Sequence, residues 1–67
     1  MRTSTAAEIG SIADGVDTYR ARVAGIAEPL IDESLAELRS ALFEAERALR
    51  TAHRAMRRAA ELARAAM

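Results

Sequence analysis

The residues that could do chemistry in this 67-residue chain are few, and they lack the spacing of a site. The chain has no cysteine, which excludes disulfides, thiolate metal ligands and a cysteine nucleophile. His53 is the single histidine, and a metal partner on the same helix would lie three or four residues away. Those positions hold Leu49, Arg50, Met56 and Arg57, and the two arginines would repel a cation. We therefore expect no metal and no other cofactor, and a boundary position beside the core for His53.

Nucleophilic and acid–base chemistry also lack their usual patterns. Ser11, Ser34 and Ser40 fall on predicted helices or caps, without a Gly-x-Ser-x-Gly elbow and without a second histidine. The three glycines are too dispersed to form a phosphate-binding loop. The acids within residues 32–37 cluster at the start of a predicted helix, where they complement the helix dipole. The sequence therefore predicts a protein that is not an enzyme.

Arginines in the last third of the chain form an arginine ridge on one helix face: Arg47, Arg50, Arg54, Arg57, Arg58 and Arg64. The ridge is expected to be a solvated, charge-paired face, with Arg50, Arg54 and Arg57 as candidate contacts to nucleic-acid phosphates or to an acidic protein. Nucleic acid is not the favoured partner, because the chain is neutral overall and has no base-reading side chains nearby. Phe43, placed on the outer face, is a second candidate contact for a protein partner.

Composition favours helices and a bacterial, cytoplasmic protein. Alanine contributes 17 residues while glycine and proline are scarce, which is typical of an all-α chain. All ten basic residues are arginine, which indicates a GC-rich bacterial genome. No apolar run approaches the ~18 residues of a membrane span, and the first residues lack the apolar segment of a secretory signal.

Larger apolar residues recur at alternating steps of three and four, the spacing of one helix face. The first stripe is Ile9, Ile12, Val16, Tyr19, Val23 and Ile26. The second stripe is Ile31, Leu35, Leu38, Leu42, Ala45, Leu49, Ala52, Met56, Ala59 and Ala63, and it continues to Ala66. The stripes differ in phase, and the slip falls at residues 25–29, where Gly25 suits a helix end and Pro29 suits a helix start.

The stripes predict one all-α domain over residues 1–67, built as a helical hairpin. A short helix 1 over about residues 5–26 would begin at a capping box of Thr5 and Glu8. A turn over about residues 25–29 would lead into a long helix 2 over about residues 29–66. Two alternatives stay open: one helix kinked at Pro29, and a longer loop that ends at a Ser34–Glu37 capping box.

The unequal helix lengths predict self-association. At ~1.5 Å per residue, helix 1 would run about 30 Å and helix 2 about 55 Å, so half of the second stripe would need another chain. A dimer, closed as a four-helix bundle or as an antiparallel coiled-coil-like pair, is the simplest arrangement. Residues 1–46 carry a net charge of −5 and residues 47–67 carry +5, which favours antiparallel long helices.

These observations predict a non-catalytic protein–protein interaction or scaffold module that self-associates through the second stripe and has room for a further protein partner. The alternative is a small, antitoxin-like regulator that associates with nucleic acid through the arginine ridge.

Overall fold

The computed structural model describes residues 4–66, which form two antiparallel helices packed side by side. Helix α1 spans Thr5–Ala27 and helix α2 spans Ala36–Ala66. A short 3-10 turn over Glu33–Leu35 leads directly into α2. The hairpin measures 51 × 20 × 10 Å, so it is only one helix thick. The prediction of an all-helical chain with two helices is confirmed.

Helix α1 begins at a serine cap rather than at the predicted box of Thr5 and Glu8. Ser4 has an extended backbone, and its Oγ accepts a hydrogen bond from the Ala7 N–H at 3.0 Å. Thr5 is therefore already the first helical residue. Serine caps a helix better than threonine does, and the Ser4 hydroxyl oxygen satisfies one of the free N–H groups at this helix end.

Helix α1 ends two residues before Pro29. The Glu28 N–H donates to the Ala24 carbonyl and continues the helical pattern for one more residue. Pro29 has no N–H and cannot make the next bond, to the carbonyl of Gly25. Gly25 thus lies inside α1, and the predicted turn over residues 25–29 begins three residues too early.

Helix α2 begins seven residues later than predicted, at Ala36 rather than near Pro29. Asp32 accepts hydrogen bonds from the N–H and the hydroxyl of Ser34, both at 2.9 Å, and caps the 3-10 turn. Of the arrangements left open by the sequence, the longer loop is the one that forms. Its cap is Asp32 rather than the Ser34–Glu37 box, because the Ser34 hydroxyl donates to Asp32.

The helices approach each other through small side chains. Ala13 and Ala27 of α1 are 0% exposed and Ala60 of α2 is 1% exposed, whereas no large side chain of the described chain is fully buried. The larger apolar residues beside these alanines, such as Val16 and Leu49, are only half-buried. Two helices alone therefore cannot enclose the apolar side chains that the sequence supplies.

The predicted length mismatch is smaller than expected and has a different consequence. With 23 and 31 residues, α1 and α2 run about 35 Å and about 46 Å. Ala6, near the start of α1, lines a groove together with Ala60 and Arg64 of α2. Helix α1 thus reaches the last turns of α2, and the expectation that helix 1 is too short to cover half of the second stripe is wrong. The hairpin instead leaves one of its sides uncovered along the length of both helices.

Candidate functional site

The second stripe, predicted as the self-association surface, divides between two surfaces of the hairpin. Six of its residues are half-buried along the side of α2 that packs on α1: Leu42, Leu49, Ala52, Met56, Ala59 and Ala63. The other four are exposed: Ile31, Leu35, Leu38 and Ala45. The packed side also includes Glu46, His53 and Ala60, so it is centred about 50° around the helix from the predicted stripe.

The first stripe divides in the same way. Ile9, Val16 and Val23 are half-buried and face α2. Ile12, Tyr19 and Ile26, each three residues further on, are 54%, 60% and 57% exposed. Only alternate members of the stripe therefore serve the contact within the chain.

The exposed members of both stripes that lie within α1 and α2 occupy one side of the hairpin, whereas Ile31 and Leu35 precede α2. In an antiparallel helix pair, equivalent flanking positions of the two helices fall on the same side of the contact. Ile12, Tyr19 and Ile26 follow contact residues of α1 by three positions, as Ala45 follows Leu42 in α2. We name this surface the apolar side face, and its members are Ile12, Tyr19, Ile26, Leu38, Ala41, Ala45, Ala48, Ala55 and Leu62, all exposed.

The two helices contribute side chains of different size to the apolar side face. Arg20 contacts Glu46 at 3.2 Å, and this contact indicates the relative levels of the two helices, with Tyr19 level with Ala48. One heptad away in either direction, Ile12 lies level with Ala55, and Ile26 lies level with Ala41. Helix α1 thus contributes a row of large side chains and α2 a row of small ones. Leu38 and Leu62, 50% and 56% exposed, occupy the two ends of the α2 row.

The opposite flank of the hairpin is charged. Asp17 Oδ1 lies 3.9 Å from His53 Nδ1, and Gly10 and Asp14 line a groove together with Arg57. On both helices these residues lie on the flank opposite to the apolar side face. The charged flank therefore supports placing the exposed apolar residues of α1 and α2 on one common side.

An ion cluster that the sequence did not predict lies between the helices. Glu46 is buried at 6% exposure, and its Oε2 accepts from Arg50 Nη2 at 2.6 Å and from Arg20 Nη1 at 3.2 Å. Arg20 Nε also donates to Asp17 Oδ1 at 2.7 Å. The cluster of Asp17, Arg20, Glu46 and Arg50 therefore links α1 to α2 near the middle of their contact.

The cluster keeps both of its carboxylates ionised. The hydrogen bond from Arg50, with a second from Arg20, lowers the pKa of Glu46 against the opposing effect of its burial. The hydrogen bond from Arg20 likewise lowers the pKa of Asp17. A carboxyl group with a lowered pKa and two arginine partners is a poor proton donor, so the cluster suits a structural role better than acid–base catalysis.

A signal for this cluster was present in the sequence. Arg20 lies four residues after Val16 and three before Val23, within the spacing of the first stripe. Glu46 stands in the same relation to Leu42 and Leu49. A basic and an acidic residue at core spacing on two antiparallel helices form a pair that can meet across the contact.

Phe43 does not lie on the outer face, where the sequence placed it. It is half-buried, and the Arg39 guanidinium carbon lies 4.8 Å from the centre of its ring. The 50° displacement of the contact brings the row of Phe43 to the edge of α1. The predicted outer-face position of Phe43 is therefore wrong, and its contact with a partner protein stays a prediction.

The three candidate arginines have different surroundings. Arg50 is held by Glu46 in the ion cluster, and Arg57 lines the groove on the charged flank. Arg54 is exposed, and its Nη2 lies 3.5 Å from Thr51 Oγ1. They do not form a common site with Phe43, since each has a different set of neighbours.

No group of histidine or carboxylate residues in the described part of the chain is arranged to hold a metal ion. Neither α1 nor α2, as described, combines the length and the apolar character needed to cross a membrane. Comparisons of the chain with protein-family models, with curated proteins and with solved structures gave no match.

Proposed function

We propose that this chain is a non-catalytic interaction module that self-associates, and that the apolar side face is the surface it uses. The observation that carries the proposal is the exposure of Ile12, Tyr19, Ile26, Leu38 and Leu62 on one side of a hairpin that fully buries only alanines. The proposal keeps the cytoplasmic, bacterial setting that the composition indicates.

The surface area of the hairpin supports an assembly. A globular monomer of 7.2 kDa is expected to expose about 4,100 Å², and this chain exposes 5155 Å². The excess of about 1,000 Å² is close to the ~800 Å² that each partner buries in a stable interface. A flat face of 51 × 20 Å is large enough to bury that area.

The surface chemistry supports the same conclusion. The nine named members of the apolar side face are uncharged, with five large apolar side chains around a row of alanines, and the Arg22 guanidinium carbon lies 5.6 Å from the centre of the Tyr19 ring. Large contiguous apolar surfaces are uncommon on proteins that remain monomeric, and they mark interaction sites. Small residues in the middle of such a face allow close approach of another helix.

The alternative function, association with nucleic acid, rests on the exposed arginines of the ridge: Arg47, Arg54, Arg57, Arg58 and Arg64. Two features weigh against it. Arg50 is engaged by Glu46, and the acids Glu8 and Asp14 of α1 lie at the same end of the hairpin as the ridge. The ridge therefore meets nearby negative charge within its own chain, which reduces its attraction for phosphates.

The proposal is tested by the same substitution on two sides of the hairpin. Ala48 lies on the apolar side face and Ala21 lies on the outer side of α1, and both are exposed within helices. Ala48→Asp and Ala21→Asp have similar intrinsic effects on a helix. Size-exclusion chromatography with light scattering should show a dimer for the unmodified chain and for Ala21→Asp, and a monomer for Ala48→Asp. A fully helical monomer for the unmodified chain, or equal behaviour of the two variants, would contradict the proposal.

A further inference from the structure

We infer that the apolar side face is covered by a second copy of this chain in antiparallel orientation, so that the acidic turn of each hairpin lies on the basic open end of the other. This inference rests on the proposed function and adds the identity and the orientation of the partner. Three features of the hairpin carry it: the charge of its two ends, the centring of its helices and the spacing of residues along its edge.

Folding leaves the hairpin with ends of opposite charge. The half that contains the turn, residues 17–49, carries seven acids and four arginines, a net charge of −3. The open half, residues 4–16 and 50–66, carries three acids and five arginines, a net charge of +2. Two antiparallel copies bring unlike ends together, whereas two copies aligned in the same direction bring like ends together.

Both helices are centred at the same level of the hairpin. The midpoint of α1 is Val16 and the midpoint of α2 is Thr51, and the contact between Arg20 and Glu46 brings these levels together. A twofold axis through this level, perpendicular to the helices, stacks each helix on its own copy. The full length of the apolar side face is then covered on both chains.

This axis brings the large side chains of the face into contact. Tyr19 lies three residues after the midpoint of α1 and Ile12 four residues before it, so Tyr19 meets the partner's Ile12. Leu38 lies thirteen residues before the midpoint of α2 and Leu62 eleven after it, so Leu38 lies within one turn of the partner's Leu62. Between these contacts, the alanines of the two α2 helices allow close approach.

One edge of the interface is then bordered by complementary charges. Glu44 and Arg58 lie seven residues on either side of Thr51, each three residues after an alanine of the apolar side face. Within residues 4–66, neither has an oppositely charged partner within 4.0 Å. In the antiparallel arrangement, Glu44 lies opposite the partner's Arg58, and symmetry supplies the pair twice.

Charge reversal tests the orientation. Glu44→Arg and Arg58→Glu, made singly, each replace two attractive pairs with two like-charge pairs and should weaken dimerisation about tenfold. The double variant should return to within about threefold of the unmodified chain. Arg54→Glu, an equal reversal on the outer side of α2, serves as the control and should have little effect. Single variants without effect, or a double variant no better than the singles, would overturn the antiparallel inference.

Distances between chains separate this inference from the proposed function. Because the chain has no cysteine, a single one can be placed at residue 37 or 64 and spin-labelled. Antiparallel copies should give label distances of about 40 Å at both positions. A dimer with distances under about 20 Å at both would show hairpins aligned in the same direction, and the inference would fail while the proposed function stands. A monomer would contradict both.

Discussion

Enlarging a buried alanine tests the close contact between the helices. Ala13 lies in the middle of α1 with 0% of its surface exposed, so the space beside its methyl group is filled by α2. Leucine at this position would have to push the helices apart or adopt a strained rotamer. Ala21 is an exposed alanine eight residues further along the same helix and provides the matched control.

The expected magnitude follows from the difference in burial between the two sites. Overpacking a filled site costs about 1–3 kcal/mol, and an exposed Ala→Leu change stays within about 0.5 kcal/mol. For a domain of this size, 2 kcal/mol corresponds to a drop of about 8–16 °C in Tm. Ala13→Leu should show such a drop, and Ala21→Leu should stay within about 4 °C of the unmodified chain.

Thermal unfolding followed by circular dichroism, at one protein concentration for all variants, measures the difference. Ala60→Leu in α2, where the exposed fraction is 1%, should behave like Ala13→Leu. Equal melting temperatures for Ala13→Leu and Ala21→Leu would show that the helices do not meet through Ala13.

Three further predictions concern charge, backbone and capping. Because the pKa values of Glu46 and Asp17 are lowered in the folded chain, their contribution to stability is complete at neutral pH and is lost as pH falls below the ordinary carboxyl range near 4. Glu46→Gln should therefore lower stability at pH 7 and reduce its loss between pH 5 and pH 2, as measured by urea unfolding at several pH values. Gly15→Ala should stabilise the chain by about 1 kcal/mol, because Gly15 is inside α1 and a Cβ atom there meets open space; a lower urea midpoint would contradict this. Ser4→Ala should cost about 1 kcal/mol through loss of the cap, whereas Ser4→Asp should retain most of the stability in the same urea measurement.

The helices and their break could be predicted from the sequence because they depend on local spacing. Steps of three and four recur in both stripes. Pro29 has no N–H, so it interrupts the helical hydrogen bonds whatever its tertiary contacts are. The start of α2 could not be predicted so well. Pro29 and Asp32 are both suitable near a helix start, and the choice depends on the hydrogen bonds that Asp32 accepts from Ser34.

The sequence alone could not predict which side of α2 faces α1, because that side is set by a contact between residues far apart in the chain. Composition predicts that the row of Ala45, Ala52 and Ala59 is the core and that the row of Glu46 is a boundary. In the folded chain Glu46 pairs with Arg20, 26 positions away, and this pair belongs to the packed side. The spacing along α2 alone does not identify the residue that neutralises Glu46, because that signal requires the spacing of both helices and their antiparallel packing.

The same contact explains why the apolar side face was not predicted as a whole. Its α1 members belong to the first stripe, whereas only Leu38 and Ala45 of its α2 members belong to the second. The two sets lie side by side only when α1 packs on the row of Glu46. Had α1 packed on the predicted stripe, the row of Ala45, Ala52 and Ala59 would have been covered within the chain. The position of one charged pair therefore determines which surface remains for another molecule.

The most direct test of self-association through the apolar side face is the protection of that face at increasing protein concentration. Cysteine introduced at Ala48 or at Ala21 is the only thiol of the chain, and both positions are exposed in the single hairpin. At nanomolar concentration both thiols should react with a small alkylating reagent at the same rate. At concentrations above the dissociation constant, the thiol at position 48 should become at least tenfold slower while the thiol at position 21 keeps its rate. Equal rates at the two positions at every concentration would contradict the account.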